Sequence, residues 1–345
     1  MIRKTIRTAA FAAVAACVAG QAGAQNYKPL ESDPTVLNFG IISTESTQNL
    51  KSQWVPFIDA MKEQTGMEVK PFFAPDYAGV IEGMRFGKVH LAWFGNKSGM
   101  EAVDRAGGEV FAQIAHANGE QGYYSHIITN VENTNINSLK DLFATCDARS
   151  ADFGMGDPNS TSGFLVPGFY VFAKNGIDPK KCFKTVRNAN HETNLMAVAN
   201  KQVTAAANNS EQLARSALAA PEARKKIKVI WTSPLIPGDP MVYRKDLSKD
   251  LKAKVKGFFL TYGRIGSPAD VKAGKAVLKA MSSGLAPFTD SSDAQLYPIR
   301  QLALFKDKLK VEGDARMSAT DKAAKITAIE KELAKLDILS SAQTM

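Results

Sequence analysis

The chain has 345 residues, 45% of them hydrophobic and 22% charged. That balance is ordinary for globular domains. It excludes a disordered, collagen-like or disulfide-scaffold chain, and the length suggests about two domains. Lys and Arg outnumber Asp and Glu by 43 to 34, a net charge of +9, yet no run of five or more basic residues marks a nucleic-acid surface.

The N-terminus has the grammar of a secretory signal peptide. Arg3, Lys4 and Arg7 precede a small apolar run over residues 8–20, and Ala22-Gly23-Ala24 offers a cleavage site before Gln25. Residues 1–24 are therefore assigned to the signal, and an exported, periplasmic chain is expected. Val14 to Cys17 bears a fainter likeness to a lipoprotein box, but cutting there leaves too little apolar run upstream. The segment carries three basic and no acidic residues, so its removal leaves +6. No later stretch reaches the roughly 18 apolar residues of a membrane span. Cys146 and Cys182 remain. An oxidising compartment permits their pairing, but the sequence leaves it open.

Strand and helix signals then alternate. Thr35 to Ile42 reads as a strand. Trp54, Phe57, Ile58 and Met61 fall at helical spacing, closed by Gly66. Met67 to Phe73 is a strand, Tyr77 to Phe86 a helix and Val89 to Trp93 a strand. Met100 to Val103 is a short helix, and Val110 to Ala115 and Tyr123 to Thr129 are strands. This alternation predicts an α/β layer around a largely parallel sheet. The polar stretch 130–138 reads as a crossing into a second α/β unit. That unit contains a strand at Asp152 to Met155 and helices at Thr161 to Lys174, His191 to Ala199 and Glu211 to Leu218. Pro234, Pro237, Gly238 and Pro240 mark the return. The expected division is lobe 1 over 25–129 plus 240–345, and lobe 2 over 130–239. Two crossings leave a cleft between the lobes, where small ligands bind. A last helix near Thr320 to Leu339 carries Ile326, Ile329, Leu333 and Leu336 at spacings of three and four. This narrow seam suits packing on its own domain or, alternatively, a homodimer.

The sharpest chemical feature is Asp157-Pro158-Asn159-Ser160-Thr161-Ser162-Gly163, between a strand and an apolar helical stretch. Three consecutive hydroxyls at a helix start lie beside unpaired N–H groups and the positive end of the helix dipole, which suits a tetrahedral oxyanion. An ordinary cap needs only one hydroxyl. No Walker loop, G-x-S-x-G, H-E-x-x-H or metal-ligand cluster occurs, so no cofactor or metal is expected. His191 stands at a second helix start. Glu211 opens a third helix, where a carboxylate also suits the dipole. Asp239 sits in the second crossing, where it suits a turn. Two carboxylates opposite an anion site would suit a zwitterion.

The segments LNFGIISTES, PFFAPDYAGVIEGMRFGKV, AWFGN, GDPNSTSGFLVPG, NANHETN and SPLIPGDP occur in the order found in the phosphonate-binding proteins of bacterial phosphonate ABC importers. From Leu37 to Phe305 the chain resembles that family. The resemblance implies a two-lobed α/β periplasmic binding protein of type II, each lobe a mixed sheet flanked by helices, with a C-terminal helical extension. It implies a receptor, not an enzyme, that delivers a phosphonate, 2-aminoethylphosphonate foremost, to an inner-membrane permease. By the same resemblance Ser160, Thr161 and Ser162 hold the phosphonate, Tyr77 and His191 assist, and Glu211 and Asp239 hold the amine. The family often reads WYGN where this chain has Trp93-Phe94-Gly95-Asn96. Phe94 is thus expected on the cleft wall with one hydrogen bond to the anion missing. Rival readings are a receptor for phosphite, phosphate or another small oxyanion, and an exported phosphoryl-ester hydrolase. The acidic pair opposes the first. The second lacks a nucleophile–base pair or metal set.

Overall fold

A computed structural model of the protein describes residues 27–342; the signal-peptide assignment lies outside the described residues. The first lobe is built on strands β1 (Val36–Ile41), β2 (Glu68–Phe73), β3 (Leu91–Trp93) and β4 (Gly108–His116), interleaved with helices α1 (Thr47–Thr65), α2 (Tyr77–Arg85) and α3 (Asn96–Arg105). Each of these helices starts at the carboxyl end of a strand, so their N-termini gather on one edge of the sheet, the edge that faces the cleft. Ser46 and Asp76 cap α1 and α2 through their side chains, while Gly95 precedes α3 without a side-chain cap. The helical spacing read around Trp54 is carried by α1, which buries Trp54, Phe57, Ile58 and Met61. Trp54 stacks on Trp93 with centroids 5.0 Å apart, fixing the β3 indole at the cleft edge.

The chain crosses at β5 (Gly122–Tyr123) into β6 (Ser125–Asn130), then through α4 (Leu139–Phe143) to β7 (Asp152–Met155). A composite helix follows over residues 161–175: two widened π turns, then a 3-10 turn. After α5 (Pro179–Cys182) come β8 (Thr185–Asn188), α6 (His191–Ala199), β9 (Ala205–Asn209), α7 (Ser210–Ala219), α8 (Pro221–Lys225) and β10 (Ile227–Thr232). The return crossing is β11 (Ile236–Pro237), which pairs with β5 as a two-stranded ribbon. The first lobe is completed by β12 (Pro240–Arg244), α9 (Lys249–Thr261), α10 (Pro268–Ala280) and β13 (Leu285–Asp290). Helices α11 (Tyr297–Glu312) and α12 (Ala319–Ser341) end the chain.

Both sheets are mixed rather than largely parallel. In the first, ordered β13-β4-β12-β3-β1-β2, the pairs around β1 are parallel and those around β4 and β12 antiparallel. The returning strand β12 inserts between β3 and β4, and helix–strand alternation alone does not reveal that insertion. In the second sheet, ordered β10-β6-β9-β7-β8, β6 pairs antiparallel with β9 and β10. This corrects the first boundary. β6 belongs to the second lobe, so the chain leaves the first lobe at residues 122–124, not at 130. The polar stretch 130–138 is a loop inside the second lobe, where Asn130 Nδ2 donates to the carbonyls of Val198 and Ala199. Polar composition marks loops alike, whether they join lobes or stay within one.

Cys146 and Cys182 are bridged beside the second-lobe core of Phe153, Phe172 and Phe183. Helix α11 packs on α3 of the first lobe and on the composite helix of the second. The α12 seam lies on α11, burying Leu333 and Leu336 and leaving Ile338 exposed.

Candidate functional site

The loop after β7 reaches the cleft and turns into the composite helix at Ser160. Ser160 is the N-cap, and its Oγ accepts from the Gly163 N–H at 3.0 Å. The Leu165 N–H reaches back to the Ser160 carbonyl at 3.1 Å, one residue further than in an α-helix, so the first turn is widened. Two glycines make the packing possible. A Cβ on Gly163 would stand 3.1 Å from His191 Cε1, and one on Gly156 would stand 2.5 Å from Gly163 Cα. The loop and the helix start can therefore lie against each other, joined by the Gly156 N–H donating to the Gly163 carbonyl at 2.8 Å.

Ser160, Thr161, Ser162, Tyr77, His191, Glu211 and Asp239 all line one cavity between the lobes. All seven are buried. His191, the first residue of α6, places Nε2 3.4 Å from Ser160 Oγ and 3.5 Å from Ser162 Oγ. Asn209, the cap of α7, donates Nδ2 to Ser162 Oγ at 3.1 Å. Burial first, then the charge of Arg215, lowers the His191 pKa to about 3, so the imidazole is neutral at ordinary pH. Burial, with the charges of Asp157 and Asp239, raises the Tyr77 phenol well above its usual value, which keeps it a neutral donor. These side chains thus offer hydroxyls, amides and neutral rings, and none of them carries a full charge.

Two acids share the same cavity. Asp239 follows β11. It accepts from Trp93 Nε1 at 3.1 Å on one oxygen and from the Tyr123 hydroxyl at 2.9 Å on the other. Burial, then the neighbouring charge of Glu211, pushes its pKa well above the carboxylate range. Glu211 Oε1 accepts from Ser282 Oγ at 3.3 Å and stands 3.9 Å from His116 Nε2. Among the described residues lining the cavity the permanent cation is Arg215, and its Nε already faces Glu45 Oε1 at 2.6 Å.

Phe94 is not on the cavity wall. Trp93 projects to the cleft, and side chains alternate along an extended strand, so the next one points the other way. Phe94 is fully buried in the first-lobe core and does not line the cavity, so its missing phenol removes nothing from it. Among the lining residues that escaped the sequence reading are Trp93, Tyr123, Asn209 and Arg215. Arg215 lies four residues after Glu211 on α7 and so shares its helix face, a signal that was readable. Tyr123 needed the correct crossing point.

Two α/β lobes joined by a ribbon, closing on a buried cavity with a helix-start oxyanion cradle, define a solute-binding protein for a small anion. The comparisons with known proteins narrow this. Residues 39–296 match the family model described as "ABC transporter, phosphonate, periplasmic substrate-binding protein", and the chain belongs to that family. It is 55% identical over 312 residues to the phosphonates-binding periplasmic protein of Escherichia coli, covering 90% of this chain and 89% of that one. It is similar to the solved binding-protein component of a phosphonate ABC transporter from Pseudomonas aeruginosa, with 53% identity and a TM-score of 0.84. That match covers 91% of this chain and all of the other. A structure of PhnD1 from Prochlorococcus marinus in complex with methylphosphonate shares the fold, with a TM-score of 0.66 at 22% identity over 78% of this chain and 97% of that one.

Proposed function

We propose that the protein captures aminoalkylphosphonates, 2-aminoethylphosphonate foremost, in the interlobe cavity and delivers them to an inner-membrane permease after export by its signal peptide. It acts as a receptor and not as an enzyme. The observation that carries this reading is the charge pattern. The hydroxyls and rings of the cradle are neutral, and the same cavity holds Glu211 and Asp239, with Arg215 already paired to Glu45. Such a cavity lacks one positive charge beside the acids, and a ligand ammonium supplies it.

On this reading the phosphonate oxygens lie against Ser160, Thr161 and Ser162. Thr161 Oγ1 accepts from the Lys97 N–H at 2.8 Å, so its own hydrogen is free to donate toward the ligand. That relay runs from a helix N-terminus through a hydroxyl to an anion, and each bond polarises the next. Tyr77 and His191 assist. The ammonium lies between Glu211 and Asp239, whose donors from Trp93 and Tyr123 hold it in place. Phosphite or phosphate would fill the cradle and leave both acids uncompensated. Self-association through the end of α12 would draw on Ile338 and Leu339, and sedimentation would read it.

The test is calorimetry with 2-aminoethylphosphonate, methylphosphonate, phosphate and phosphite. The aminated ligand is expected to bind tightest, and replacing Ser160, Thr161 and Ser162 together by Ala should abolish binding. Phosphate or phosphite binding as tightly as the aminated ligand would overturn the amine assignment. Unchanged affinity in the triple variant would overturn the cradle.

A further inference from the structure

Three side-chain oxygens of the second lobe end on the N-termini of three first-lobe helices. At the start of α1, Glu192 Oε2 accepts from the Ser46 N–H at 2.7 Å and Oε1 accepts from Asn49 Nδ2 at 2.8 Å. At the start of α2, Asp157 Oδ2 accepts from the Tyr77 N–H at 3.2 Å. At the start of α3, Thr161 Oγ1 takes the Lys97 N–H. Helix N-termini leave amides without intrahelical acceptors and carry partial positive charge, so each is matched by an oxygen, two of them carboxylate. Donor and acceptor sit on different lobes, so each of these bonds ties one lobe to the other.

Glu192 differs from Thr161 in one respect: it does not line the cavity. Its pairing is also bidentate, and its neighbour across the cleft, Glu45, is itself held by Arg215 of the second lobe. We propose that Glu192 is a positioning residue that sets ligand affinity without touching ligand, by holding the N-terminus of α1 in the closed state. The inference rests on reading the cavity as the phosphonate site. Its signature follows from linkage. Apparent affinity scales with the fraction of protein in the binding-competent state, so a latch outside the cavity changes every ligand's affinity by the same factor. Glu211, by contrast, discriminates between ligands.

Two variants approach the contact from opposite lobes. Glu192→Gln removes the charge and one acceptor. Asn49→Asp sets a carboxylate against Glu192 and, at the third position of α1, lets the helix satisfy the Ser46 N–H by a capping box of its own. Each is tested by calorimetry and stopped-flow with 2-aminoethylphosphonate and methylphosphonate, beside the melting temperature of ligand-free protein. Each variant should raise Kd about tenfold, equivalent to about 1.4 kcal/mol, by the same factor for both ligands and through faster dissociation. Ligand-free melting should be unchanged in Glu192→Gln and unchanged or raised in Asn49→Asp. An unmoved Kd, a loss confined to one ligand, or a loss matched by lower ligand-free melting overturns the latch. Wild-type protein that binds neither ligand overturns the phosphonate reading, and this inference with it.

Discussion

Replacing Glu211 by Gln isolates the amine contact, because the amide keeps the shape and a hydrogen-bonding oxygen for Ser282 while losing the charge. The same change at Asp239 is less clean. Both Asp239 oxygens accept from fixed donors, Trp93 Nε1 and the Tyr123 hydroxyl, and an amide NH2 would face one of them. Two unit charges about 4 Å apart at an effective dielectric of about 20 interact by about 4 kcal/mol. Not all of that is lost. Glu211 also raises the pKa of Asp239, so neutralising it lets Asp239 ionise more easily and serve the ammonium alone. The net loss should approach that of a hydrogen bond to a charged group, about 1.5–3 kcal/mol, or about 10- to 150-fold in Kd for 2-aminoethylphosphonate. Methylphosphonate brings no ammonium, and the substitution relieves the repulsion between the acids. Its Kd should stay constant or fall. Calorimetry of both ligands against both proteins gives the ratio directly. Equal losses for the two ligands, or no loss for the aminated one, would refute the assignment of the acidic pair.

The neutral His191 makes stability depend on pH. Its folded pKa of about 3 lies below the unfolded value of 6.5, so its contribution is complete above pH 6.5 and falls as pH drops toward 3. The slope is about 1.4 kcal/mol per pH unit; the melting temperature of His191→Asn should fall less steeply than wild type over that window, and parallel curves would refute the assignment. The Cys146–Cys182 bridge closes residues 36 apart, and removing it with a double Ser variant should cost about 4 kcal/mol in the chain-entropy model. Calorimetric melting reads that loss, while phosphonate Kd should be unmoved because neither cysteine lines the cavity. Phe94→Tyr should leave Kd within about twofold, short of the 1.5–3 kcal/mol that a new hydrogen bond to a charged group supplies. A tenfold tightening would return Phe94 to the cleft wall.

How far the chain could be read without coordinates depended on the range of each signal. The cap at Ser160, the starts of α2, α6 and α7, and the seam of α12 are local, and their spacing in sequence is their spacing in space. The hydroxyl-lined helix start was legible for the same reason, since its three hydroxyls stand in a row. The insertion of β12 between β3 and β4 is non-local, and so is the pairing of β6 with β9 and β10. Neither leaves a mark on periodicity. The misplaced crossing hid Tyr123, and the direction of one side chain beyond β3 misplaced Phe94. The seven residues that share the cavity come from both lobes and several separate helix starts and loops. Their convergence was foreseen by resemblance, and nothing in their spacing imposed it.

The two kinds of contact in the cleft divide the work of binding. Burying Glu211 and Asp239 without a counter-ion is costly, and the raised Asp239 pKa is one form of that cost, so on the proposed reading the two acids oppose closure of the empty cavity. The interlobe bonds at α1, α2 and α3 act in the other direction, since each ties one lobe to the other. On the proposed reading an ammonium between the acids would remove the opposing term, and the interlobe bonds would then decide how tightly the lobes stay shut. A ligand without the amine would leave that term in place, so on this reading selectivity would arise from what the closed state costs and not from the cradle alone. Opening reverses each part together. The acids return to water, the helix starts lose their second-lobe oxygens, and Thr161 loses the amide that polarised it. On the proposed reading, release would then require no separate device for the anion and the amine.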